Sequence, residues 1–130
     1  MPTLHLNLHR KWFDMTEQGI KPEDYRELTI YWYKRLVRVN DLDFHEKILL
    51  ESYIINANIP KNKKTYWNHG NKVFQSRFKK FDSTTLSNGY SKDRSQFEVK
   101  HKGINIGLGK EEWGAEPGKY YFVIKHGIKL

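Results

Sequence analysis

The sequence predicts an α+β fold: a small, partly open β-barrel of about five to six strands, with helices across its mouth and a helical insertion. Three observations predict it. Apolar residues alternate at the start of the chain and recur in short runs through its C-terminal third. Glycines punctuate that third. A helical period interrupts the strands between. The 130 residues suit a single domain, so residues 1–130 are read as one unit. Its 4 Trp, 8 Tyr and 7 Phe are enough large apolar side chains for a folded core.

Each element has its own signal. Leu4, Leu6 and Leu8 alternate with His5 and Asn7, which predicts a strand over residues 3–8. From His9 to Gln18 the period changes. Trp12, Phe13 and Met15 make an apolar helical face, and Gly19 is placed to stop the helix. The charged segment Lys21-Pro22-Glu23-Asp24-Tyr25-Arg26-Glu27 follows. The aromatic run Ile30-Tyr31-Trp32-Tyr33 leads into Lys34-Arg35-Leu36 as a second helical segment, starting near Thr29.

Residues 38–80 differ in character and read as an insertion between barrel strands, too short to hold a core of their own. Asp41 to Asn56 is an amphipathic helix by pattern. Asp41 is its expected N-cap, and Phe44, Ile48, Leu49 and Ile55 share one face. Asn58 to Lys72 is polar and basic, punctuated by Pro60 and Gly70. Phe81 to Leu86 is a weak strand candidate and Asn88-Gly89 a turn. Phe97–Val99 and Ile104–Ile106 read as two short strands separated at Gly103. Gly107, Gly109, Gly114 and Gly118 mark a long loop, and Tyr120 to Lys125 is a final apolar strand.

The net charge of +8 points to an acidic partner, of which nucleic acid is the commonest; the plain alternative is a solvated basic surface. The absence of cysteine excludes disulfides, thiolate metal sites and a cysteine nucleophile. No apolar run is long enough to span a bilayer, so no membrane partner is expected. Met1-Pro2-Thr3-Leu4-His5 does not read as a secretory signal, and a cytoplasmic setting is expected. The 6 His lack ligand spacing: His5 and His9 span a strand-to-helix junction. Neither a metal nor a cofactor is expected. There is no Walker loop, and the cluster Gly103 to Gly109 follows a strand with no helix behind it.

Gly19-Ile20-Lys21-Pro22-Glu23-Asp24-Tyr25-Arg26 resembles the Gly-x-Lys-x-x-Glu-x-Arg signature of the ASCH domain family, with Asp24 where that family usually has Glu. Leu4 to Leu8, Lys11 to Met15, Tyr31 to Leu36, Asn88-Gly89-Tyr90 and Gly103 to Gly107 through Trp113-Gly114 resemble a bacterial and phage branch of it. The resemblance covers residues 3–36 and 81–126. It implies a PUA-like β-barrel that binds RNA or a nucleotide through a basic pocket. The family also contains small hydrolases, either amidohydrolases acting on N4-acetylcytidine or ribonucleases, and in the amidohydrolase branch the matching Lys is catalytic. That branch has a Thr, and uses its hydroxyl, where this chain has Asp24.

The motif residues have two readings each. Lys21 is a pocket nucleophile, base or phosphate-holding cation, or else a solvent-exposed loop lysine. Asp24 serves in acid–base chemistry or closes the loop as a structural ion pair. Arg26 holds a substrate phosphate or partners Asp24 or Glu23. Glu111 and Glu112 precede Trp113. Either is a candidate carboxylate to meet Lys21 across the pocket mouth, Glu112 being preferred, and solvation is the alternative. Trp12, Tyr25, Trp32, Tyr90 and Trp113 are candidate stacking surfaces: Tyr25 and Trp113 are the expected base platforms, Tyr90 suits either role, and Trp12 and Trp32, on apolar helical faces, are expected in the core. Lys61, Lys63, Lys64, Arg77, Lys79 and Lys80 form a basic region suited to phosphate contacts or to a solvated loop.

Overall fold

The computed structural model describes residues 2–89 and 95–130. Strand β1 (Thr3–Leu8) leads into helix α1 (Arg10–Glu17), strand β2 (Glu23–Arg26) and helix α2 (Ile30–Leu36). The helical pair α3 (Phe44–Ile55) and α4 (Lys63–Phe74) follows, then strands β3 (Ser83–Asn88), β4 (Gln96–Leu108) and β5 (Tyr120–Lys129). The five strands form one mixed sheet in the order β1-β3-β4-β5-β2, curled into a half-barrel. β1 runs parallel to β3, and the other pairings are antiparallel. This is the expected α+β architecture, with the sheet left open between β1 and β2.

Strand alternation sorts the side chains. One face of the sheet collects Leu4, Leu6 and Leu8 from β1, Leu86 from β3, Phe97, Val99, Ile104 and Ile106 from β4, and Phe122 and Ile124 from β5. The helices pack on that face. Phe13 of α1 meets Phe97 edge-to-face with centroids 5.0 Å apart, and Phe74 of α4 lies 6.1 Å from Phe122. Leu36, Val37 and Leu50, also fully enclosed, complete the same cluster. A smaller cluster of Ala115, Tyr121 and Val123, with Tyr25 against it, occupies the opposite face.

Several expectations need correction. Residues 23–26, read as a charged segment, form β2, paired with Phe122 to Lys125 of β5. The two short strands around Gly103 are one strand, β4, interrupted by irregularities between Val99, His101 and Gly103. The basic stretch 58–72 contains most of α4, capped by the Asn62 side chain. Helix α3 is capped by Asp43, not Asp41. Asp43 and Glu46 form a reciprocal capping box, while Asp41 lies in a preceding 3-10 turn. The face of α3 carrying Phe44, Ile48, Leu49 and Ile55 is exposed, and α3 instead buries Leu50 and Ile54.

Phe122 is fully enclosed between Phe74 and Phe78, where the sheet meets α4 and the segment after it. Phe122→Ala is expected to lower stability by about 3–5 kcal/mol, read as a reduced urea midpoint with an unchanged m-value.

Candidate functional site

The site grows from the turn between α1 and β2. Gly19 has φ of +78°, a conformation that favours glycine, and ends the helix. The backbone N–H groups of Ile20 and Lys21 both donate to the Met15 carbonyl, which turns Lys21 inward. The carbonyl of Pro22 then accepts from the His126 N–H and starts the β2–β5 pairing. Asp24 and Arg26, two apart in β2, share the core-facing side with Ile124 and Phe122.

A charged trio results. Lys21 is 2% exposed and Asp24 5% exposed. The Lys21 ammonium donates to Asp24 Oδ1 at 3.0 Å and to the Glu23 carbonyl at 2.7 Å. Arg26 Nε donates to Asp24 Oδ2 at 2.8 Å, so each carboxylate oxygen faces its own cation. Burial is the largest single influence on Asp24 and opposes its charge. The attraction of Arg26 and Lys21, with their hydrogen bonds, outweighs it and holds the acid below its ordinary range.

Arg26 also closes the half-barrel. Its Nη2 donates to the Asn7 carbonyl on β1 at 2.9 Å, across the gap between the two end strands of the sheet. Two residues along β1, the His5 carbonyl accepts from Arg35 Nη2 at 2.9 Å. Arg35 Nη1 donates to the Tyr31 hydroxyl at 3.3 Å. The indole of Trp32 joins the two cations: the Arg26 and Arg35 guanidinium carbons lie 4.9 and 4.6 Å from its ring. Two arginines thus stand where a sixth strand would pair with β1.

Two cavities flank Arg26 and have Arg26 and Asn7 as a common wall. One, of about 450 Å³, adds His5, Tyr31, Trp32, Arg35, Ser87 and Gln96. It is polar and cationic. The other, of about 370 Å³, adds Leu8, His9, Trp12, Asp24, Tyr25 and Gly89 and has two aromatic walls. The glycine-rich loop braces those walls. The Lys110 N–H donates to the Tyr25 hydroxyl at 3.0 Å, and that hydroxyl donates to Glu23 at 2.7 Å. A Cβ at Gly109 would lie 2.9 Å from the Tyr25 ring, and one at Gly114 2.9 Å from Trp12. Burial and the Glu23 bond raise the Tyr25 pKa, so the phenol stays protonated.

The expected site residues separate into groups. Lys21, Asp24, Tyr25 and Arg26 come together, but Lys21 lines neither cavity; its amine is turned to Asp24 and the backbone. Glu112 corrects the expected approach to Lys21. It lies exposed on a 3-10 turn, Glu111–Trp113, and makes no ion pair with that lysine among the described residues. Trp113 is half-buried beside Lys110 and lines neither cavity. Tyr90 lies outside the described residues. Trp12 and Trp32, expected in the core, pack against it yet form cavity walls. The sequence singles out neither Asn7 nor Arg35 as a site residue, and it sets Trp12 and Trp32 in the core ahead of a stacking role. The i, i+3 spacing of Trp32 and Arg35 on α2 was the available signal.

Behind the trio, β5 and β4 contribute two histidines. His126 is 7% exposed, and neither ring nitrogen has a hydrogen-bond partner among the described residues. Burial pushes its pKa down to about 4, Asp24 pulls it upward, and Lys21, His101 and Arg26 push it further down. Cross-strand from it, His101 Nδ1 lies 3.2 Å from the Thr84 hydroxyl, and burial lowers its pKa also.

No family model, curated protein or solved structure matches the chain. Among the described residues no helix is long and apolar enough to cross a membrane, and no three metal-ligating side chains cluster.

Two outcomes follow from the charged trio and the histidine. Asp24→Asn leaves two cations without their carboxylate and is expected to cost about 3–5 kcal/mol, read by urea denaturation at neutral pH. His126 is neutral in the fold down to about pH 4, whereas the unfolded chain takes up its proton near pH 6.5. Between those values the unfolded state binds more protons, so stability falls as pH falls, by about 3 kcal/mol across the window. Asp24 adds its own loss only below pH 3.8, as pH falls through its lowered pKa. Stability measured against pH should lose the His126 share of the upper slope in His126→Leu, leaving the smaller part that the buried His101 carries, with the surface variant His69→Leu as the control.

Proposed function

We propose that the chain binds RNA, or a nucleotide derived from it, in the two-lobed cleft between β1 and β2. This is the role implied by the ASCH-like motif. The phosphate lies in the cationic lobe against Arg26 and Arg35. The base enters the second lobe between Trp12 and Tyr25. The observation that carries the reading is the Arg26–Trp32–Arg35 stack. Among the described residues, each guanidinium places two hydrogen bonds on protein groups, which leaves the rest of its five N–H donors for an anion. Backbone carbonyls of β1 hold both arginines in place before any ligand arrives, so little side-chain entropy is lost on binding.

The second lobe supports the same reading. Aromatic walls suit the face of a base, and the side chains of Asn7 and His9 offer hydrogen-bonding groups at its rim. The protein's surplus of cations adds long-range attraction for a polyanion. A hydrolase of the N4-acetylcytidine or ribonuclease type draws less support. Its expected amine, Lys21, is enclosed and spends two bonds on Asp24 and Glu23.

Fluorescence anisotropy with a labelled single-stranded RNA tests the proposal. Affinity should fall with added salt along a straight log–log line. Trp12→Ala should weaken binding by about tenfold or more, as loss of one stacking surface does. Arg35→Gln should weaken it and flatten the salt slope by about one phosphate contact. Lys72→Gln, on the exposed side of α4, should change neither beyond a small electrostatic effect. Absence of binding at low salt, or binding indifferent to both cleft variants, would refute the proposal.

A further inference from the structure

We propose that a second nucleotide subsite lies at the irregularity in β4, so that the bound strand is longer than the cleft alone can hold. The proposal rests on the cleft as the primary nucleotide site and extends its footprint. A separate cavity of about 400 Å³ opens there, with Phe81 and His101 among its walls and Lys79, Lys80 and Lys102 around it.

Three features fit this cavity to a nucleotide. First, its cations are free: none of the three lysines takes part in an ion pair among the described residues. Second, it has two uncharged rings in its wall. His101 and Phe81 meet edge-to-face at 5.3 Å, and the Thr84 hydroxyl sits 3.2 Å from His101 Nδ1. Burial lowers the His101 pKa, which disfavours a further charge on the ring. Third, the irregularities between Val99 and Gly103 interrupt the β4 ladder at this point, which re-aims side chains from the sheet.

The two sites are joined by one short element. Tyr31, Trp32 and Arg35 of α2 line the cationic lobe of the cleft. The end of α2 abuts the second cavity: the Lys79 N–H donates to the Leu36 carbonyl, and Val37 bridges Phe78. Gln96 lines the cleft and His101 the second cavity, five residues apart along β4, so at about 3.3 Å per residue the two sites are on the order of 15–20 Å apart. A mononucleotide cannot cover both sites, and a short oligonucleotide can. Lys34 is exposed on α2, and Asp82 is the acid bordering the second cavity in sequence.

Calorimetric titration with a uridine dinucleotide and a uridine octanucleotide tests the inference. The octanucleotide should bind about tenfold or more tightly than the dinucleotide, with a steeper salt dependence. The triple variant Lys79→Gln, Lys80→Gln, Lys102→Gln should remove that advantage and leave dinucleotide binding unchanged. Unchanged dinucleotide binding also certifies that the variant folds. Equal affinities for the two probes, or an octanucleotide advantage that survives the triple variant, would overturn the second subsite while leaving the cleft intact. Dinucleotide binding that ignores Arg35→Gln would instead overturn the cleft, and failure of both probes to bind at low salt would overturn both readings.

Discussion

The carboxylate of Asp24 is the contact on which the rest of this molecule depends. One oxygen holds the Lys21 ammonium and the other holds Arg26, at 3.0 and 2.8 Å. A buried acid without partners would be protonated. The ion pair sits inside a face otherwise made of Leu, Ile and Phe, and the two cations hold the Asp24 carboxyl below its ordinary range. Such a pair adds little net stability over apolar replacements, because desolvation offsets attraction. Its value here is geometric. It fixes the guanidinium of Arg26 at one place in the gap between β1 and β2, and the Asn7 carbonyl then ties that place to the opposite end strand.

The same arrangement deals with an exposed sheet edge. β1 lies at the end of the strand order, and its His5 and Asn7 carbonyls would be free to recruit another strand. Arg26 and Arg35 occupy both carbonyls instead. A guanidinium so placed blocks strand addition and still offers donors to a smaller anionic guest. The polar edge and the cationic lobe are thus one construction seen from two sides. The glycine-rich loop has a comparable double role: its close approach to Tyr25 and Trp12 packs the second cluster and sets the width of the aromatic lobe.

Much of the fold was legible because its signals are local. The Leu4-Leu6-Leu8 alternation, the Gly19 stop and the final apolar strand all depend on neighbours in sequence. β2 was not legible. Glu23, Asp24 and Arg26 are poor strand formers by composition, and the strand exists because Lys21 neutralises it from within and β5 supplies its partner. The capping box of α3 was present as Asp43 and Glu46 three residues apart, but Asp41 offered a competing start. The exposed Phe44 and Ile55 show the limit of periodicity: a stripe marks a face without saying whether anything covers it. In the site, Lys21, Asp24 and Arg26 are close in sequence and meet in the fold. It could not show which of them face open space, since that depends on the curl of the sheet. Trp12 and Trp32 illustrate the same point, because a tryptophan is large enough to pack on the core with one edge and line a cavity with the other.

That Arg26 stands in the wall of both lobes has a thermodynamic corollary. A fragment carrying only a phosphate and a fragment carrying only a base would each draw on the same guanidinium. Their separate binding free energies would therefore not sum to that of a molecule carrying both groups. Linked chemically, the two halves would divide one cation between them; unlinked, each would alter the other's hold on it, so occupancy of one chamber would be felt in its neighbour without any movement of the backbone.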